Sequence, residues 1–450
     1  MAQPSKPFRI GAGAGYAGDR IDPAQALAER GELDALVFEC LAERTIALAQ
    51  LRRAQDPRAG YDPLLAARLR AVLPACLANG VRIITNMGAA HPEAAGAAAL
   101  AVASELGLPL RAAVVSGDDV LEWMRQHNAP LLDSSLTVGD LGDRLISANA
   151  YLGADALLPA LASGANLVIT GRVADPALFL APLMFHFGWA ADDWPRLGQG
   201  TVVGHLLECA AQVSGGYLAD PGFVDVDRLD ELGFPLAEVQ ADGRCVVTKL
   251  AGTGGRVDRL SCTAQLLYEI ENPACYLQPD VEADFSAVRL HEVGPDRVSV
   301  EGASGRPRPA QLKVTLGYRD GWIGEGQMSY AGPGARARGE LALAVMRSRL
   351  QRVGLGASEQ RTELIGVNAM HGPLRGSDRE PYEVRLRVAV RCATRAQAEQ
   401  VGQEVEALYL NGPAGGGGAT QSVREVVAVA SALIPREAVT PRCTVLESPP

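Results

Sequence analysis

A chain of 450 residues, 48% hydrophobic and 21% charged, has an ordinary globular composition and is too long for one core, so two or three domains are expected. Only 5% of residues are aromatic and the formal charge is -10, which argues against nucleic acid, whose binding needs clustered cations and stacking rings. The longest uncharged apolar run, Pro176 to Ala191, is broken by Pro182, His186 and Gly188 and falls short of the roughly 20 residues of a bilayer span, so no membrane helix is expected.

From Phe8 to about Trp189 one pattern repeats: a short apolar run, a polar or glycine-rich turn, then an amphipathic stretch with helical spacing. Strands are expected at Phe8–Gly13, Leu33–Phe38, Val81–Thr85, Leu110–Val115, Arg144–Ala148 and Asn166–Thr170. Asp22, Asp62, His91 and Asp175 each precede a proline, which suits the first helical position because its missing N–H costs nothing there. Strands alternating with helices imply a parallel sheet covered on both faces. A helix is expected over Gly200 to Tyr217, with His205, Glu208 and Gln212 on one side. Near Gly222 the pattern changes, and a glycine-rich turn, Lys249 to Arg256, leads through a short helix at about Thr263 to Ile270.

From Gln311 the order is strand (Ile323–Tyr330), helix (Ala335–Val353), two strands (Thr362–Asn368, Tyr382–Arg391), helix (Arg395–Tyr409) and strand (Val423–Leu433). The expected fold class is therefore α/β, with a parallel-sheet domain at residues 1–222, a connecting layer at 223–310, an α+β split βαβ (ferredoxin-like) domain at 311–435 and a tail at 436–450.

In an open parallel sheet the ligand lies beyond the carboxyl ends of the strands. The residues there are polar: Asp19 and Arg20 after the first strand, Glu39, Glu43 and Arg44 after the second, Asn86 after the third, Ser116-Gly-Asp118 after the fourth, Asn149 after the fifth, Arg172 and Asp175 after the sixth. Any one of them suits a helix cap. Together, the Arg and carboxylate pairs point to a cleft for a small anionic substrate. Gly13-x-Gly15-x-x-Gly18 spells the dinucleotide fingerprint, but Asp19 to Pro23 delay the helix that should hold the pyrophosphate. Nicotinamide binding is therefore a third choice.

Gly254, Gly255 and Arg256 in one turn, and Gly415, Gly416 and Gly417 in another, offer backbone nests for a phosphate or carboxylate, or else plain hinges. Lys249 is one of only three lysines among 42 basic residues, and lysine is the cation whose pKa moves on desolvation. His205 and Glu208 form a candidate acid/base couple, or a satisfied core pair. The scattered cysteines and histidines lack metal-ligand spacing, so no metal is expected, and no other cofactor. A G-x-S-x-G elbow and a Walker loop are both missing. The N-terminus lacks the pattern of a secretory signal, and a cytoplasmic location is expected.

The set Gly11-Ala-Gly-Ala-Gly-Tyr-Ala-Gly-Asp-Arg, Leu36-Val-Phe-Glu-Cys-Leu-Ala-Glu-Arg, Thr170-Gly-Arg-Val-Ala-Asp-Pro and Gly412-Pro-Ala-Gly-Gly-Gly-Gly resembles the acyclic terpene utilisation (AtuA) family over nearly the whole chain. The resemblance implies bacterial catabolism of branched acyl chains and carboxylates. It also implies that longer members carry a small C-terminal domain that this chain lacks, which a separate small partner protein would supply. The residue types fit an enzyme acting on a small carboxylate or acyl-CoA, a hydratase or lyase catalysed by His205, Glu208, Asp19 and Lys249, with CoA entering only as part of the substrate. The alternative is a noncatalytic subunit or ligand-binding scaffold. A homo-oligomer is expected in either case.

Overall fold

A computed structural model describes residues 6–355, 359–372 and 380–448. The last two residues of the expected tail lie outside this set. The chain divides into two compact units: residues 1–317 with 429–450, and residues 318–428. The molecule is α/β, built on a large mixed sheet.

The first unit is centred on five parallel strands, whose runs of Val, Ile, Leu and Ala are buried on both sides. They are β1 (Phe8–Ala14), β2 (Ala35–Phe38), β3 (Arg82–Thr85), β4 (Arg111–Ser116) and β6 (Leu167–Thr170), while β5 (Leu145–Ala150) stands outside this sheet. Their order is β1-β2-β3-β6-β4, and every pairing within it is parallel. The pleat sends alternate residues of β1 to opposite faces. Phe8 meets the rings of His186 and Phe187 on helix Ala177–Phe187, whereas the Gly11 position abuts Leu27 of helix Asp22–Arg30. Helices therefore cover β1 on both faces.

The sheet continues antiparallel at both ends. Beyond β1 come β7 (Pro235–Val239), β8 (Cys245–Lys249), β12 (Arg297–Glu301) and β11 (Arg289–Gly294). The segment expected as a connecting layer thus supplies four strands of the main sheet. It also contributes β9 (Tyr276–Leu277), β10 (Glu282–Asp284) and β13 (Ser304–Arg306), which form a small sheet of their own. At the far end β18 (Arg442–Glu447), from the expected tail, pairs antiparallel with β4.

The second unit holds β14 (Gln311–Ala331) from Tyr318 onward, helix Ala335–Arg352, β15 (Gln360–Ile365), β16 (Glu383–Cys392), helix Arg395–Glu406 and β17 (Gly417–Pro435) as far as Ala428, in that order. The strands lie β15-β16-β14-β17. Its core gathers Met328 and Tyr330 of β14, Met346 and Leu350 of the first helix, Leu386 and Val388 of β16, and Val401 and Val405 of the second helix.

Candidate functional site

The carboxyl ends of the parallel strands hold a buried polar network that begins at Glu39, just past β2. Its Oε1 accepts the Leu41 N–H at 2.8 Å and the Asn86 side-chain amide at 2.9 Å. Asn86, just past β3, also accepts the Cys40 N–H at 2.7 Å, so one side chain clamps two strand ends. Beyond β4, Asp118 Oδ2 accepts the Asn149 amide and the Arg172 N–H, both at 2.9 Å.

These bonds fix the turn after β6 and drive the Arg172 side chain inward, where it is 1% exposed. Arg172 Nη2 donates to Asp175 Oδ1 at 2.6 Å, and the guanidinium lies 4.1 Å over the Tyr151 ring. Tyr151 is itself anchored, donating to Glu43 Oε1 at 2.5 Å and accepting from Thr315 at 3.3 Å. Lys313 donates to the same Glu43 oxygen at 3.1 Å. Arg172 Nε and Nη1 are buried and have no hydrogen-bond partner among the described residues.

Burial and neighbouring charge separate the proton affinities of these groups. Glu39 is pushed up to about 8, mainly by burial and further by the Asp175 charge, with Arg172 pulling the other way. Burial raises Asp118 to about 6 despite its two hydrogen bonds, and it raises Asp175 against the pull of Arg172. Glu43 goes the other way: burial alone would raise it, but Tyr151, Arg172 and Lys313 together hold it at about 2.

His205 and Glu208 adjoin this network. Their helix runs Trp194–Leu207 and stops short of the expected Tyr217, because Ala210 takes a left-handed φ of 41°. Gln212 consequently sits in a separate 3-10 turn, off the helical face expected for it. The His205 Nδ1 to Glu208 Oε1 contact survives at 2.9 Å. His205 Nε2 and Glu208 Oε2 are buried without partners among the described residues. Burial brings Glu208 to about 7, with Asp175 and Glu269 adding to the rise. Burial would lower His205, but its bond to Glu208 raises it.

The structure therefore joins Glu39, Glu43, Asn86, Asp118, Asn149, Arg172 and Asp175, with His205 and Glu208 beside them, and adds Tyr151 and Lys313. The other expected residues are engaged elsewhere. Asp19 accepts the Gly15 and Arg20 N–H groups, both at 2.9 Å, and so folds its own turn. Arg20 donates to the carbonyls of Asp230 at 2.7 Å and Leu229 at 3.1 Å, and Arg44 is exposed. Lys249 is paired with Asp296 at 3.0 Å and with the Thr253 carbonyl at 3.0 Å. The Gly254 and Gly255 N–H groups bond to the Glu231 and Asp227 carbonyls, both at 2.8 Å, so that turn closes on backbone instead of opening toward an anion. Arg256 holds the Asp225 carbonyl at 3.1 Å and the Asp258 carboxylate. Gly415, Gly416 and Gly417 belong to the second unit, where Gly416 packs on Met328 and Tyr330.

Two features of this end of the sheet were not legible as function. The glycines of the first turn serve packing, since a Cβ on Gly15 would collide with the Cys209 backbone. Fully buried Arg68 holds the same turn, donating to the Ala17 carbonyl at 3.0 Å and to Asp62 at 3.3 Å. Among the described residues no group of three or more His, Cys, Asp or Glu is arranged to hold a metal ion, and no helix is long and apolar enough to cross a membrane. A surface groove of about 640 Å³, lined by Glu238, Asp242, Arg244 and Glu301, lies on the antiparallel strands, away from the network.

The family model described as acyclic terpene utilisation family protein AtuA matches residues 8–445. No curated protein and no solved structure matches the chain.

Proposed function

The chain belongs to the acyclic terpene utilisation (AtuA) family, and from that premise we propose a catabolic enzyme of small carboxylates or acyl-CoA thioesters, a hydratase or lyase that moves water by proton transfer. The observation that carries the reading is the pairing of Glu39, which keeps its proton near neutral pH, with a buried Arg172 whose Nε and Nη1 are unpartnered. A carboxyl group held neutral beside a second carboxyl that can accept a proton is how a single site supplies both acid and base.

Glu39 Oε1 already accepts two N–H groups, which leaves its proton on Oε2. Arg172 holds the substrate's carbonyl or carboxylate oxygen and stabilises the charge that builds on it. Asp175, whose side chain is 35% exposed against 1% for Arg172, takes the proton from the adjacent carbon. The carbon–oxygen bond to the leaving hydroxyl then breaks as Glu39 gives that oxygen its proton, so water and an unsaturated product leave. Glu39 ends ionised and Asp175 protonated, and exchange with solvent resets both. Glu208, oriented by His205, acts as a proton reserve beside Asp175.

In this reading the chain works in the cytoplasm as a homo-oligomer. The scaffold is a parallel-centred α/β domain carrying a split βαβ domain, supported by the strand order of each unit. A second reading, a ligand-binding scaffold that needs a small partner protein, is favoured by the burial of Arg172 and Glu39. Turnover by the purified chain alone separates the two. Hydroxy and unsaturated acids, free or as thioesters, are followed by the ultraviolet absorbance of the conjugated double bond. The enzyme reading expects turnover, lowered about 100-fold or more in Glu39→Gln. Binding without turnover would favour the scaffold.

A further inference from the structure

We infer that the site takes a small free carboxylic acid with one carboxylate, seated on Arg172, and does not take a CoA thioester. The inference rests on the functional reading above and narrows its substrate class. A CoA thioester brings several phosphate charges that need cations or open backbone N–H groups. Among the groups that the sequence offers for them, the turn at Gly254 to Arg256, the Arg20 guanidinium and Lys249 are occupied. The Gly254, Gly255 and Arg256 N–H groups bond to the carbonyls of Glu231, Asp227 and Ser214. The Arg20 guanidinium holds two carbonyls, and Lys249 holds Asp296 and the Thr253 carbonyl.

Arg172 differs from all of these. An arginine has five N–H donors, and among the described residues Nη2 makes one bond while the three donors on Nε and Nη1 have no partner. The guanidinium is fixed before any ligand arrives: Tyr151 lies beneath it, Glu43 and Thr315 anchor the Tyr151 hydroxyl, and Asp118 holds the Arg172 backbone N–H. Fixed donors lose little freedom on binding and favour a planar carboxylate. The surroundings set the charge limit. Asp175 bonds to Arg172 directly, and the negative charge of Glu43, held at about 2, bears on it as well. One carboxylate completes the donor set, whereas a second anionic group would face these carboxylates without a cation of its own.

The test is calorimetric titration of the full chain with 3-methylbut-2-enoate, its CoA thioester, free CoA and a short dicarboxylate. Binding of the free monoacid is expected, with at least tenfold weaker binding of the other three. Arg172→Lys should weaken the monoacid at least tenfold at a retained melting temperature, while Arg20→Lys and Arg256→Lys leave it unchanged. Should Arg172→Lys fail to fold, Asp175→Asn decides: losing a neighbouring negative charge should tighten the monoacid severalfold even as turnover falls. Tighter binding of the thioester, no binding of the monoacid at millimolar concentration, or weaker binding in Asp175→Asn would overturn the inference. Monoacid binding with no turnover would instead leave the inference standing and count against the lyase.

Discussion

Glu39 makes the fold itself sensitive to pH. Its carboxyl titrates at about 8 in the folded chain, against an ordinary value of 4.5. A raised carboxyl holds a proton that the unfolded chain has already released, so its contribution is fully present below pH 4.5 and is lost as pH rises toward 8. Within that window stability should fall by up to about 1.4 kcal/mol per pH unit. Asp118, at about 6, acts in the same direction over a narrower range. Glu39→Gln should therefore flatten the dependence and gain on the native chain at pH 8 relative to pH 5. Denaturant melts at both pH values check this, and parallel curves for the two proteins would count against a buried neutral Glu39.

The His205 and Glu208 couple was legible because three-residue spacing survives at the end of a helix. Its chemistry is decided by the two unpartnered atoms, Nε2 and Oε2. If Glu208 serves as a proton reserve, Glu208→Gln and His205→Gln should lower turnover about 100-fold with little change in melting temperature. A structural pair would instead lose roughly 1 to 3 kcal/mol and keep its activity. Arg68 was not legible at all. It lies among alanines and leucines in helix Leu65–Asn79 and reads as a surface arginine, because only tertiary packing brings the first turn over it.

At the scale of elements, strand ends are what carry the polar network, and small residues let the elements approach. The six strands expected up to Thr170 lie within two residues of β1 to β6, since a short apolar run bounded by turn residues is a local signal. Which strand neighbours which is not local, so β5 leaving the sheet and β6 entering between β3 and β4 could not be read. Helix Trp194–Leu207 shows the same limit. Its Gly204 looks like a weak point worth filling, because Ala is favoured over Gly in helices by about 1 kcal/mol. A Cβ there would meet the Cα and carbonyl of Pro176 at 2.7 Å, and overpacking costs roughly 1 to 3 kcal/mol. Gly204→Ala should therefore destabilise the chain. Because His205 is the next residue, the displacement should also weaken the His205 bond to Glu208. A rise in melting temperature would show that the helix and Pro176 can part without cost.

At the scale of the whole molecule the chain leaves the first unit at residue 317 and returns at 429, so its last strand closes a sheet begun more than 300 residues earlier. Nothing local announces this. Residues 442–447 are mostly exposed and are followed by Ser-Pro-Pro, which reads as a tail, and only the ladder Arg442↔Ser116 to Glu447↔Arg111 makes them a strand. The physical role of β18 is to cover β4, whose Ala-Ala-Val-Val core would otherwise be a bare apolar edge open to pairing with another chain. Leu446 adds packing against the Gly96 position of helix Pro92–Glu105. Few side chains on β18 are buried, so its thermodynamic weight is modest, on the order of 1 to 3 kcal/mol from a few net hydrogen bonds. Its effect on association should be larger. Deleting residues 441–450 should lower the melting temperature slightly and produce concentration-dependent light scattering. A truncated chain that scatters no more than the full chain at the same concentration would show that β4 needs no cover.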